Sequence, residues 1–203
     1  MVGMATRMAS QLQVVIPIGR TVEPGNKEQI LKVGLSALWN LSAHFRRNKV
    51  NICEEQGSIV FLVELLRSNS VTIVENGGGI LRNISSYIAM ADKGETYRCI
   101  LREENCLPLL LEHLRSSSMT VVSNAAGTLW NLSARSGTDQ AILINLGAVP
   151  LLQSLASSRH KSISTCAAAT IKNLYHGQIL TSPQDKLNIC CSTAVNDIWS
   201  KCQ

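Results

Sequence analysis

Apolar side chains recur three and four residues apart along most of this chain, the spacing that gathers them on one face of an α-helix. The pattern is strongest in four segments that end alike. They read Ala37-Leu38-Trp39-Asn40-Leu41-Ser42, Ile80-Leu81-Arg82-Asn83-Ile84-Ser85, Thr128-Leu129-Trp130-Asn131-Leu132-Ser133 and Thr170-Ile171-Lys172-Asn173-Leu174-Tyr175. Each asparagine has an apolar residue two positions before it and another one position after it. Ten positions before it stands Ile30, Ile73, Val121 or Ile163, and four before it a small residue, Ser36, Gly79, Gly127 or Ala169. These offsets predict an amphipathic helix of about four turns around each asparagine.

A shorter apolar block precedes each of the last three long helices, at 57–66, 105–114 and 147–155. Pro108 and Pro150 fall in the first turn of these blocks, where a proline costs no hydrogen bond. Shorter helical pieces come before them, at 48–56, 97–104 and 139–146, which makes three helices per repeat. The asparagine intervals are 83−40=43, 131−83=48 and 173−131=42 residues. A period of roughly 40–47 residues is that of HEAT or armadillo arrays. The longer middle interval predicts a loop insertion near Ala91–Glu95. A single repeat cannot bury its own apolar face, so neighbours must stack. The chain reads as an all-α solenoid with a partial repeat at 27–43 and whole repeats at 48–90, 97–136 and 138–177. The flanks 1–26 and 178–203 do not follow the period.

Composition agrees with a globular helical protein: 45% hydrophobic, 16% charged and only 4% aromatic over 203 residues. The net charge of +5 suits an acidic partner and lacks the concentrated basic stripe of a nucleic-acid binder. Arg46-Arg47 with Lys49 reads as a solvated loop. Seven cysteines without C-x-x-C spacing read as buried free thiols of a reducing compartment. No run is long and apolar enough to predict a membrane helix, so no direct membrane insertion is expected. The Asn-x-Ser triplets at Asn40, Asn83 and Asn131 lie inside apolar helices, which argues against glycosylation.

The segments Leu35–His44, Gly77–Asn83, Ile100–Cys106 and Gly127–Arg135 resemble the C-terminal part of the armadillo domain of the adenomatous polyposis coli (APC) family, and the likeness runs from about Leu31 to Leu174. The resemblance implies a right-handed armadillo superhelix. It also implies a cytoplasmic scaffold that restrains Wnt/β-catenin signalling within the β-catenin destruction complex and contacts the cytoskeleton, with membrane association through partners. The partners it implies are peptide segments of exchange factors, kinesin-associated proteins and membrane-recruiting proteins. The β-catenin- and axin-binding repeats of that family lie outside the armadillo domain and are not in this sequence, so direct β-catenin binding is not expected.

In such a superhelix the long third helices line a concave groove, and one helix position recurs on its floor. That position is assigned to Asn40, Asn83, Asn131 and Asn173, whose amides would offer donor and acceptor to an extended peptide. The competing reading is that each amide bonds the neighbouring repeat. The varying residues just before them, Trp39, Arg82, Trp130 and Lys172, are candidates for side-chain selectivity, or else the tryptophans belong partly to the core. Ser36, Gly79 and Gly127 leave room either for a ligand backbone or for close helix packing. The family analogy points most directly to Asn40, Arg82 and Asn83.

No catalytic constellation emerges. Gly77-Gly78-Gly79 lacks the Gly-Lys-Ser/Thr of a phosphate loop, and no histidine pairs at metal-ligand spacing. The expectation is a non-enzyme without cofactor or metal. The alternative function is a structural or assembly module that uses the open stacking face of its first, partial repeat.

Overall fold

The computed structural model describes residues 24–180, which form ten helices and no strand. In chain order they are α1 (Pro24–His44), α2 (Arg46–Glu54), α3 (Ser58–Leu66), α4 (Val71–Ile88), α5 (Gly94–Glu103), α6 (Cys106–His113), α7 (Met119–Ser133), α8 (Gly137–Asn145), α9 (Ala148–Ala156) and α10 (Lys161–Leu180). A triplet of helices appears three times after α1; its first two members are alike in length (9 and 9, 10 and 8, 9 and 9 residues), the second being the one expected to be of medium length, and the third is long (18, 15 and 20 residues). The calls at 1–23 and 181–203, including Cys190, Cys191 and Cys202, lie outside the described residues.

Each triplet is punctuated by the same turn chemistry. The residue before every medium helix is left-handed: Gly57 (φ 78°), Asn105 (φ 54°) and Gly147 (φ 69°). Glycine and asparagine tolerate that region, where a Cβ would crowd the carbonyl. Ser118 starts α7 by accepting from the Val121 amide, and Ser136 starts α8 by accepting from the Asp139 amide. The insertion expected at Ala91–Glu95 falls instead on the turn at 89–93, and Gly94 and Glu95 already belong to α5. Gly94 is needed there because a Cβ would sit 2.2 Å from the Ile88 carbonyl oxygen.

The long helices α1, α4, α7 and α10 pack side by side in that order, and the medium helices cover them from one side. Their buried rows follow the apolar offsets of the sequence. Ile73, Ile80, Leu81, Ile84 and Ile88 of α4 join Val122, Leu129 and Leu132 of α7 in one continuous core with Leu62, Leu107, Leu110 and Leu152 of the medium helices. Leu41 is the exception at its register position. It is 57% exposed.

One polar lock ties successive repeats together beneath this stack. Arg98 of α5 and Asp139 of α8 are both buried and paired, and Arg102 reaches the other Asp139 oxygen at 2.7 Å. Arg98 also donates to the carbonyls of Leu132 and Ala134, the otherwise orphaned end of α7. A cation at a helix C-terminus is favoured by the macrodipole. Arg102 is in turn paired with Glu95.

Candidate functional site

The four asparagines face their neighbours in a fixed way. The Asn83 Nδ2 donates to the Trp39 carbonyl (3.1 Å) and to the Ser42 hydroxyl (2.9 Å) of the preceding long helix. Asn131 does the same to Arg82 (3.3 Å) and Ser85 (3.0 Å), and Asn173 to Trp130 (3.3 Å) and Ser133 (3.0 Å). Each serine hydroxyl donates back to that same carbonyl: Ser42 to Trp39, Ser85 to Arg82 and Ser133 to Trp130. The carbonyl can only accept, and the hydroxyl proton is already spent on it. The asparagine must therefore present its NH2, and its orientation is fixed by the network.

Through this clasp the Nδ2 groups of Asn83, Asn131 and Asn173 bond the neighbouring repeat. Their Oδ1 atoms take no hydrogen bond among the described residues. Asn40 differs: its Nδ2 donates to Ser36 of its own helix at 3.1 Å, and it is exposed. The Asn-x-Ser spacing thus supplies an asparagine that clasps backward and a serine that is clasped from ahead. The last repeat breaks it with Tyr175.

A second row of amides was not read from the sequence. Asn76 Nδ2 donates to the Lys32 carbonyl (3.4 Å) and Asn124 Nδ2 to the Glu75 carbonyl (3.0 Å). Both residues are buried, and both stand seven positions before a clasp asparagine, as 83−76=7 and 131−124=7 show. That two-turn repeat was the signal that could have found them.

Two of the small positions make room for the neighbouring long helix. A Cβ on Gly79 would fall 2.2 Å from the Trp39 indole, and one on Gly127 would fall 2.4 Å from the Arg82 guanidinium Nε. Trp39 and Arg82, each just before an asparagine, therefore lie across the small residue of the next repeat. Trp130 is 41% exposed while Trp39 is half-buried. Ser36 is exposed on α1. Arg82 makes only a long contact to Ser123 (3.4 Å), and Lys172 is exposed. Lys49, read from the sequence as part of a solvated loop, reaches across to Ser86 at 3.0 Å, beside Asn83. No carboxylate lies within ion-pair distance of Arg82, Lys49 or Lys172 among the described residues.

The remaining chemistry is quiet. Burial pushes the Cys53 and Cys106 thiols up to about 12 and raises that of Cys166. Cys99 is exposed, so the expectation of buried thiols fails at that one described cysteine.

The repeat geometry, the clasp and the register identify the architecture, and the comparisons agree. The profile described as Armadillo/beta-catenin-like repeat matches residues 100–134. The human adenomatous polyposis coli protein 2 is 55% identical over 152 residues, and the human adenomatous polyposis coli protein 54%. The matched part of the chain is an armadillo-repeat region of the APC kind. Both matches cover 73% of this chain but only 6% and 5% of those relatives, so the chain spans a small part of their length. Among solved structures, a designed armadillo repeat protein superposes with a TM-score of 0.62 at 26% identity, covering 72% of this chain and 59% of that one. Armadillo proteins computationally designed for modular peptide recognition give 0.60 at 25% identity, over 72% and 58%. The fold is accordingly the right-handed armadillo superhelix with three helices per repeat.

Proposed function

We propose that this chain is a non-catalytic scaffold that holds extended segments of other proteins along the face of its long helices. The observation that carries this reading is the row of asparagine Oδ1 atoms left over once the clasp is made. They are acceptors one repeat apart, suited to the N–H groups of an extended backbone. Arg82, Lys49 and Lys172 flank the row without carboxylate partners, and Trp130 stands out beside it. Those side chains favour a segment that carries carboxylates and an apolar anchor. Trp39, Ser36, Gly79 and Gly127 shape the floor rather than touch the ligand. The designed relatives made for peptide recognition support the same use of the fold.

The family supplies the setting we propose: a cytoplasmic scaffold in restraint of Wnt/β-catenin signalling and in cytoskeletal contact, with exchange factors, kinesin-associated and membrane-recruiting proteins as sources of the segments. A peptide array probed with the purified chain tests the reading. Arg82→Glu with Lys172→Glu is the fitting control, because Asn83→Ala would cut the clasp as well as any ligand contact. Loss of array binding by that variant, with unchanged thermal unfolding, supports the groove. Binding that ignores both changes removes it.

A second reading rests on Val33 and Leu41, 60% and 57% exposed on α1. An open apolar stacking face of this kind drives assembly in repeat proteins. Sedimentation over a range of concentrations decides it: a constant monomer excludes self-assembly through this face.

A further inference from the structure

We infer that one edge of the solenoid docks directly on an anionic lipid surface. The turns that follow α1, α4 and α7 come at the same point of each repeat, and the asparagine clasp holds the long helices in register. The turns therefore fall in a row along one edge. Contacts across the repeats join them: the Arg46 guanidinium lies over the Tyr87 ring at 5.5 Å, and Arg135 Nη1 donates to the Met90 sulfur at 3.7 Å.

The content of these turns is unusual for a solvated edge. Phe45 is the single residue between α1 and α2, and Met90 sits in the turn after α4; each is 67% exposed. Arg46 and Arg47 adjoin Phe45, and Arg135 sits next to the α8 cap in a left-handed conformation (φ 60°). None of these three arginines pairs with a carboxylate among the described residues, whereas Lys93 of the same edge is held 4.0 Å from Glu54. Asp92 is the opposing charge in the row.

Protruding apolar tips between unpaired arginines match a lipid interface in both respects. The tips can enter the headgroup boundary while the guanidinium groups meet phosphate and carboxylate. The geometry favours a lipid surface over an acidic polypeptide. A line of turn tips has no walls to hold an extended backbone, and a planar surface needs none. This edge is distinct from the row of asparagine acceptors, and the inference does not rest on that proposal.

The test is co-sedimentation of the full chain with phosphatidylcholine vesicles, with and without phosphatidylserine. The expected result is binding only to the phosphatidylserine vesicles and release by salt. Arg46→Glu with Arg47→Glu should lower partitioning by at least about 25-fold, since each basic residue near the surface is worth about a factor of five and the variant also adds two negative charges. Phe45→Ser should lower it too. All three positions are exposed, and circular dichroism checks that the variants stay folded. Soluble glycerophosphoserine should not compete; if it does, the site recognises a free headgroup and the surface reading is wrong. Failure to bind phosphatidylserine vesicles, equal binding to both vesicle types, or variants that bind like the parent would each overturn the inference. Binding to polyglutamate but not to vesicles would assign the edge to an acidic protein instead.

Discussion

Two residues of identical type carry opposite consequences here. Asn83 donates twice to the preceding helix, whereas Asn40 donates once to its own and is exposed. Removing a half-buried double donor costs about 1–3 kcal/mol, and exposed substitutions stay within about 0.5 kcal/mol. Urea denaturation should therefore place Asn83→Ala and Asn131→Ala well below the parent and leave Asn40→Ala close to it. Equal effects at all three sites would show that the clasp is not a stabilising unit. The glycines divide in the same way. Gly79→Ala drives a methyl group into the Trp39 indole, and overpacking of about 1–3 kcal/mol outweighs the helix propensity gained. Gly127→Ala meets the far end of the flexible Arg82, which can swing aside, so its loss of stability should be clearly smaller. The thiols are sorted by burial. A maleimide at neutral pH should label Cys99 first and reach Cys53 and Cys106 only on unfolding, as peptide mass analysis would show. Their folded pKa of about 12 lies above the ordinary 9.0, so the folded state binds more protons between those values. That contribution is intact below pH 9 and is lost as pH rises from 9 toward 12.

At the scale of elements, the sequence period located the long helices well because the buried rows at Ile84, Leu132 and Leu174 follow the 3.6-residue spacing. The small positions were visible as well, and close helix packing was one of the two purposes read for them. Which side chain fills the space beside Gly79 depends on the crossing of two helices 40 residues apart, and no local pattern encodes it. The lock of Arg98, Arg102 and Asp139 was invisible for a related reason: Asp139 lies one repeat away from the two arginines of α5, and isolated charges in a sequence read as solvated. Removing Asp139 would leave the buried Arg98 without a carboxylate, while Arg102 keeps Glu95. Asp139→Ala should cost about 3–5 kcal/mol in denaturant titration. A loss below about 1 kcal/mol would mean that water reaches Arg98.

The described long helices stack in chain order, each against the next, and the candidate ligand face is a by-product of that stacking. The sequence led to the asparagines and to the residues before them, because both recur with the repeat. It could not show that the asparagine amides clasp the preceding helix, nor that Lys49 reaches the same face, since both depend on contacts between repeats. The most direct test of the scaffold reading is fluorescence-anisotropy titration of a peptide selected on the array, using the parent chain and Arg82→Glu with Lys172→Glu at matched thermal stability. The account predicts saturable binding by the parent, weakened at least tenfold in the variant and by added salt. Equal affinities for the two proteins would contradict it.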